Sequence, residues 1–576
     1  MFMTLHLVVV LATLCSVSFA QADQVLHGPA FDPPSHLSDN NIIQRAVFDI
    51  TNSLNEAIRS GTSNFGSFNS STTSLSLTVA SQLDASPIID FHHTSGSLNI
   101  SAGSTLRVTG DSVYRIGSIS KLFTVYSLLL NNGTKYWNNP VTDFVPELRV
   151  NHSPYAVQWD QVTVGALASQ LSDIGRDCNS ADLAVLDFPW TQLGLPSLPP
   201  QDIPTCGIND GQLPCSRKDY FAAYIQRHAV FAPYSKAMYS NGAYRILAYV
   251  LEALTGRSYE DVVNNEIFRP LSMKHSSALP PTSKGKGVIP DGDAGWNREY
   301  GDEIATGGLL SSTNDLVRFG LAIFSNRQLS PMETLRWMKP NSFTASPSLS
   351  IGAPWEIVRT RSGITTGRTV DLYTKSGSVG AYQSLIILVP DYQVTLAVLA
   401  AGPEASAAVQ IATETTIQTL LPALEEAAKQ ESCNKFCGEY SASTNGSGSS
   451  LIITVDNSPG LLIESWTHQG HDLIAAGQAY ANATRGGQIQ SVRLFPSGLQ
   501  TRNGAAYRAI FQRVLSDGDA SVHRVLDPAA GTWGMPDQLM YGGIAVDEFV
   551  FHVDAGKHSA AVEPRVLRAV YQRLEV

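Results

Sequence analysis

The chain changes texture once, near residue 430, and that change bounds what it can fold into. Before it, helix-like and strand-like patterns alternate. "NNIIQRAVFDITNSLNEAIRS" (40–60) places apolar residues at helical spacing and is followed by Gly61. "SLSLTVASQ" (74–82) alternates and is β-branched, a strand whose expected partner is "SPIIDFHHTS" (86–95). "YRIGSISKLFTVYSLLL" (114–130) predicts a helix that starts near Ser118 and ends at "NNG" (131–133), with Gly133 as its C-cap. Residues 172–216 are Pro- and Cys-containing with little periodicity, as in a surface insertion. "YSNGAYRILAYVLEALTG" (239–256) and "SYEDVVNNEIFRPLSM" (258–273) read as helices, the second stopped by Pro270. "SSTNDLVRFGLAIF" (311–324) opens on a Ser312-to-Asp315 variant of the capping box. "YQSLIILVPDYQVTLAVLAAG" (382–402) is expected to form two buried strands around a Pro-Asp turn, and a helix over about 404–430 follows. After Cys433, runs such as "SLIITVDN", "GLLIESW" and "QIQSVRLFPSG" are parted by Gly, Asn and Ser. They predict a separate all-β domain, a small barrel or sandwich, with a boundary near 430–437. A chain of 576 residues is long enough for two cores.

The N-terminus predicts export. "LHLVVVLATLCSVSFA" (5–20) is apolar and ends in small residues, so residues 1–20 read as a signal peptide, cut before Gln21. The run is short for a membrane span, and no later stretch is long enough. Six sequons agree with secretion: Asn69, Asn99, Asn132, Asn151, Asn445 and Asn482. Five cysteines remain after cleavage. In an oxidising compartment the short loops favour Cys433–Cys437 and Cys206–Cys215, with Cys178 able to replace either member of the second pair. A net charge of −11 gives no basic surplus for nucleic acid or anionic lipid. His92-His93 and His468/His471 are close histidine pairs, but neither has the spacing of a metal site, so no metal is expected.

The chemistry starts at "SISK". Ser118 and Lys121, three apart, share one helix face, so the amine can reach the hydroxyl. A serine needs a neighbour to take its proton, and a lysine can do so when burial or nearby cations lower its pKa. Ser120 is on a different face and reads as a support or cap. The motif alone is weak, since Ser283–Lys286 and Ser432–Lys435 repeat it where no apolar helix follows. Two further elements add weight. Tyr239-Ser240-Asn241 stands at a helix start, where the phenol can act as acid or base and the amide can hold a substrate. Tyr136-Trp137-Asn138 and Tyr480-Ala481-Asn482 are decoys of it. Lys375-Ser376-Gly377 ends the strand-like "VDLYTKSGS". A lysine there can lower the pKa of Tyr239 and attract a carboxylate, and the glycine lets the backbone approach a substrate closely.

In that order, Ser-x-x-Lys, Tyr-x-Asn and Lys-Ser/Thr-Gly resemble the class C β-lactamase and D-alanyl-D-alanine carboxypeptidase superfamily of serine hydrolases. "TGGLLSSTNDLVRF" (306–319) is similar to that family's Gly-Gly-Leu-x-Ser-Thr segment, and the resemblance covers about 40–430. It implies an α+β fold. A β-lactamase/transpeptidase-like catalytic domain over 38–430 would hold an antiparallel sheet flanked by helices, plus an all-helical subdomain. The all-β domain over 434–576 resembles the lipocalin-like appendages of some relatives. The resemblance also implies roles. Ser118 attacks a carbonyl while Lys121 and Tyr239 handle its proton. Ser118 and Ser378 N–H groups form the oxyanion hole. Lys375, with Ser376 and Gly377, supports Tyr239 and binds an anionic group, and Asn241 orients a substrate amide. No cofactor is implied. "SQLSDIG" (169–175) departs from the His-Ser/Thr-Ser-Gly-like segment of many relatives, which makes Gln170 and Asp173 an unusual cleft rim.

The expected function is that of a secreted serine hydrolase acting through a Ser118 acyl-enzyme on a small molecule or peptide. Amide, ester and lactone carbonyls all suit it. The alternatives are an acyltransferase or esterase of secondary metabolism, and a non-catalytic binding protein on the same fold. No G-x-S-x-G elbow supports an α/β-hydrolase.

Overall fold

The computed structural model describes residues 28–574, apart from 151–154, 180–181, 209–210, 294, 362–363, 365–366, 445–446, 485–487, 515–531 and 554–557. The signal segment 1–20 and the sequons at Asn151 and Asn445 lie outside the described residues. The chain divides into two units, one of residues 32–364 and 369–431 and one centred on 432–576.

The first unit opens with α1 (Asn41–Ser60), capped by the Asn40 side chain and closed by Gly61 at φ +76°. Its antiparallel sheet holds, in chain order, β1 (Ser74–Ser81), β2 (Ile89–His93), β3 (Ser342–Phe343), β4 (Leu349–Ile351), β5 (Glu356–Thr360), β6 (Val370–Val379), β7 (Tyr382–Val389) and β8 (Val394–Ala401). Across the sheet the order is β2-β1-β8-β7-β6-β5-β4-β3. Every residue of β1 and β8 is buried, as befits central strands covered on both faces. Between β2 and β3 the chain is mainly helical: α2 (Ser120–Leu130), α3 (Val164–Ala168), α4 (Asn241–Thr255) and α5 (Thr313–Phe324). Gly320 lets α5 press on β8, for a Cβ there would stand 2.4 Å from the Thr395 side chain. The described residues of 172–216 carry only short 3-10 turns before the helix Arg217–Tyr224.

Helix α2 is buried all round from Ser120 to Leu129, as a core helix must be if it is apolar on every face. Each of its large apolar side chains stabilises the unit by about 1.5–3 kcal/mol. Phe123 packs against Phe319 (4.6 Å between ring centroids) and Phe268 (5.4 Å). That burial fixes the turn preceding the helix.

Three local expectations change. Gly133 does not cap α2. Asn131 is the C-cap and Asn132 takes the left-handed conformation (φ 59°), while Gly133 is needed because a Cβ would strike Leu128 O at 2.5 Å. The Ser312–Asp315 box is half made: Ser312 caps Asp315 N, but the Asp315 carboxylate accepts from His275 N and Ser276 Oγ instead. A complete box sits at Ser330 and Glu333. The last helix of the unit, α6 (Ala405–Phe436), runs past 430, and Cys437 N–H bonds Cys433 O on its final turn.

The second unit holds β9 (Gly438–Thr444), β10 (Ser447–Thr454), β11 (Leu461–His468), β12 (Gln488–Thr501), β13 (Gly504–Val514), β14 (Glu548–Val553), β15 (Ser559–Pro564) and β16 (Tyr571–Arg573). Each pairs antiparallel with the next, and β16 returns to β9, so eight strands close into an up-and-down barrel. Closure leaves no unpaired edge. Phe436, Tyr507 and Phe551 meet in its core. The unit is not all β, since α7 (Leu473–Thr484) starts at Asp472, whose carboxylate accepts from Ile474 N and Ala475 N.

Candidate active site

Three segments far apart in the sequence meet at Ser118. The first is the turn Gly117–Ile119 ahead of α2. Gly117 has φ +50°, in the left-handed region that suits glycine, and a Cβ there would stand 2.7 Å from Ser378 N. From the opposite side, a Cβ on Gly377 would stand 2.1 Å from Ile116 O and 2.9 Å from Ser118 N. The turn and β6 therefore touch backbone to backbone. Ser384 on β7 fastens the contact by donating to Ile116 O at 2.7 Å. Ser120 donates to Gly117 O (2.7 Å) and accepts from Leu309 N (3.1 Å), the support its spacing suggested.

Lys121 Nζ lies 3.0 Å from Ser118 Oγ, 2.7 Å from Asn241 Oδ1 and 2.7 Å from Thr306 O. It is fully buried, and none of these partners is a carboxylate. Burial, and after it the charge of Lys375, hold its pKa well below the usual lysine range.

The second segment brings Tyr239, whose hydroxyl donates to Ser118 Oγ at 2.5 Å. Burial holds this phenol above its ordinary pKa, and the Ser118 hydrogen bond offsets only part of the rise. The ring is flanked by Lys121 Nζ (4.9 Å from the centroid), Lys375 Nζ (5.4 Å) and the Arg176 guanidinium (4.8 Å). Ser240 is the N-cap of α4. Asn241 is engaged at both ends of its amide: Oδ1 on Lys121 and Nδ2 on Asp177 Oδ1 (2.7 Å). Both contacts are internal and tie the amide to Lys121 and Asp177.

Gln170 and Asp173 are not rim residues. Both are buried and both take positive φ, 61° and 54°. Gln170 brackets the tyrosine segment, accepting from Met238 N at its backbone oxygen (2.8 Å) and from Ser240 N at Oε1 (2.7 Å). Burial pushes the pKa of the Asp173 carboxyl up to about 6, and the backbone N–H groups of Ser235 and Lys236 that face it offset only part of the rise.

The third segment is β6. Lys375 Nζ meets Glu356 Oε1 at 2.5 Å, and Glu356 Oε2 accepts from Ser376 N (3.0 Å) and Ser376 Oγ (2.9 Å). Lys375 therefore faces Tyr239 as half of an ion pair. Its ammonium lies over the ring, not on the hydroxyl, and the Glu356 charge adds to the rise. β5 pairs with β6 only over Val370–Thr374. N–H groups alternate along a strand, so Ser378 N points to the same side as Ser376 N. Ser378 is exposed there, beside Ser118 N. Two donors so placed suit an oxyanion.

The decoys stand elsewhere. Ser283 and Lys286 are in an irregular loop, Ser432 and Lys435 end α6, Tyr136 and Asn138 follow α2, and Tyr480 and Asn482 are in α7. Cys206–Cys215 and Cys433–Cys437 are bonded, and Cys178 is free and buried.

Residues 92–419, well over half of the chain, match the family described as Beta-lactamase. The chain belongs to the beta-lactamase family. Residues 428–575 match a second family, the C-terminal domain of beta-lactamase-like proteins. A beta-lactamase-like protein of Arthroderma benhamiae is 30% identical over 579 residues, covering 95% of each chain. The probable hydrolase clz13 of Cochliobolus lunatus is 26% identical, over 81% of this chain and 79% of its own. The D-alanyl-D-alanine-carboxypeptidase/endopeptidase AmpH of Escherichia coli is 27% identical, over 38% of this chain and 50% of its own. This is a hydrolase family, and the chain carries its fold in the first unit.

Glu356, Asp177 and Thr306 are site residues that motif reading passed over. "PWEIVRT" reads as a strand, but which residue of the next strand stands beside Glu356 is set by pairing register, not by spacing within a motif. Asp177 lies inside the aperiodic Pro/Cys segment, where spacing carries no signal.

Proposed function

We propose that the protein is a secreted serine hydrolase that forms an acyl-enzyme at Ser118 on an ester, lactone or amide carbonyl. One observation carries the reading: Ser118 Oγ lies within hydrogen-bond reach of a buried amine with no carboxylate partner and of a phenol kept protonated by burial. Lys121, as the neutral amine, accepts the Ser118 proton while Oγ bonds to the carbonyl carbon. The N–H groups of Ser118 and Ser378 hold the oxyanion. As the intermediate collapses, the leaving oxygen or nitrogen takes the Tyr239 proton, and the Lys121 ammonium gives the proton it took from Ser118 to the Tyr239 phenolate. Water repeats the steps in reverse and frees Ser118. Asn241 and Thr306 hold the amine in place. Lys375 acts on Lys121 through its charge.

Secretion rests on the N-terminal segment, the two disulfides and the sequons. No helix among the described residues is long and apolar enough to cross a membrane. Asn69, Asn132 and Asn482 are exposed and Asn99 is half-buried, so all four are proposed glycan sites.

The test is a panel of neutral aryl esters, β-lactams and D-amino acid amides, run beside Ser118→Ala. Turnover of at least one class that vanishes in the variant supports the reading. Undiminished activity in the variant, or none in the native protein, overturns it.

A further inference from the structure

The motif Lys375-Ser376 offers an ammonium, a hydroxyl and a strand-edge N–H on one side of the cleft. Donors so grouped recognise a carboxylate. In this protein an internal carboxylate already holds them. Glu356 takes Lys375 Nζ at 2.5 Å with Oε1, and takes Ser376 N at 3.0 Å and Ser376 Oγ at 2.9 Å with Oε2. Both its oxygens are used, and all three donors are satisfied by it. Lys375 also donates to Ser376 O at 2.8 Å. The lysine is 1% exposed, whereas the Glu356 side chain keeps 25% of its surface exposed. An approaching group thus meets the carboxylate before the ammonium.

The other cations around Ser118 lie apart from this edge, and Arg176 is the exposed one among them. Arg176, beside Tyr239, faces Asp177 with 3.5 Å between Nε and Oδ2. Lys121 is buried and spends its hydrogen bonds on Ser118, Asn241 and Thr306. An anionic group at the Lys375–Ser376 edge would have to displace Glu356 or lie against it.

We infer that Glu356 closes the anion-recognising edge of the cleft, so that the substrate presents an uncharged group, not a carboxylate, to Lys375 and Ser376. The substrate class is a neutral ester, lactone or amide. The inference rests on the Ser118 acyl-enzyme reading and narrows it. Glu356 is a specificity residue that works by repulsion: it rejects one class of substrate rather than attracting another. Unlike Ser376, the Ser378 N–H two residues along the same edge is not bound by Glu356, so the oxyanion site stays open while the carboxylate site is filled.

A matched pair of probes tests this on the full-length protein: 3-carboxyphenyl phenylacetate and its methyl ester, 3-(methoxycarbonyl)phenyl phenylacetate. Phenol release gives kcat/KM for each, and intact mass reports phenylacetylation of Ser118. The native protein is expected to favour the methyl ester by at least about tenfold, the scale of a like-charge contact. Glu356→Gln is expected to cut that preference to about threefold or less by raising kcat/KM for the acid. Equal or better turnover of the acid by the native protein overturns the inference, and that ratio needs no variant to fold. An unchanged ratio in a Glu356→Gln protein that melts like the native one overturns it as well. Failure of both probes to acylate Ser118 is a different result: it removes the acyl-enzyme reading, and the inference with it.

Discussion

Two lysines flank Tyr239, and their surroundings are opposites. Lys121, at the start of α2, is fully buried among Ser118 Oγ, an amide oxygen and a backbone carbonyl. Lys375, on β6, is equally buried but lies 2.5 Å from the Glu356 carboxylate. A carboxylate lies in direct contact with the second ammonium, whereas the first has none within hydrogen-bond reach, and the charges of Asp177, Glu303 and Glu356 offset only part of its desolvation. Burial, and after it the charge of Lys375, therefore holds the first well below the usual lysine range. In the proposed mechanism the two lysines divide the labour: Lys121 is the base, and Lys375 is a charge that lowers its pKa.

Ser118→Ala removes the group that Lys121 and Tyr239 both contact. Hydrolysis of a neutral aryl ester is expected to fall by about ten-thousand-fold or more, measured as kcat/KM. A fall below tenfold would leave the two lysines without a common task. Gly377→Ala comes next. Its Cβ would stand 2.1 Å from Ile116 O, so β6 and the Ser118 turn must separate. The expected loss is about a hundredfold in kcat, the scale of one oxyanion donor, with a lowered Tm. Full activity would show that the close backbone contact is not needed.

Two charge changes sharpen the contrast, read as the pH dependence of kcat/KM. Lys375→Gln removes a cation that disfavours protonated Lys121, so the pKa of Lys121 rises and the acidic limb moves to higher pH. Glu356→Gln removes an anion that favours protonated Lys121, so the limb moves to lower pH. Shifts in the same direction would refute the assignment of Lys121 as the base. The smallest effect lies away from the lysines. Asp173 has a folded pKa of about 6, above the ordinary carboxyl value, so its ionisation costs stability as pH rises. The penalty is absent below about pH 4 and complete above about pH 7. Asp173→Asn, which also tolerates positive φ, is expected to raise stability by about 1–2 kcal/mol at pH 8 and to change it little at pH 4, by denaturant unfolding.

Much of this site is legible in the sequence because short spacing becomes geometry inside one element. Ser118, in the turn that leads into α2, is three residues from Lys121 in its first turn, and Gly377 sits two residues from Lys375 on one strand. The order of the elements and the change to short strands after Cys433 are equally local patterns, and they surface as a sheet-and-helix unit followed by a closed barrel. What stayed hidden depends on partners far along the chain. Glu356 reaches Lys375 through strand register, Asp177 reaches Asn241 from an aperiodic segment, and Gln170 brackets Tyr239 from inside the protein. A motif identifies Lys375 without revealing that a carboxylate already holds it. The C-terminal helix α7 was hidden for another reason: its apolar run is short and flanked by strand-like segments, so only the Asp472 cap announced it.

The central claim is that Ser118 is acylated with Lys121 as its base. Time-resolved intact mass with a neutral aryl ester, followed by peptide mapping across a pH series, measures this directly. The account predicts one acyl group on Ser118, forming at a rate that levels off well below the ordinary titration range of lysine. An adduct on another residue, or a rate that keeps rising into that range, would contradict it.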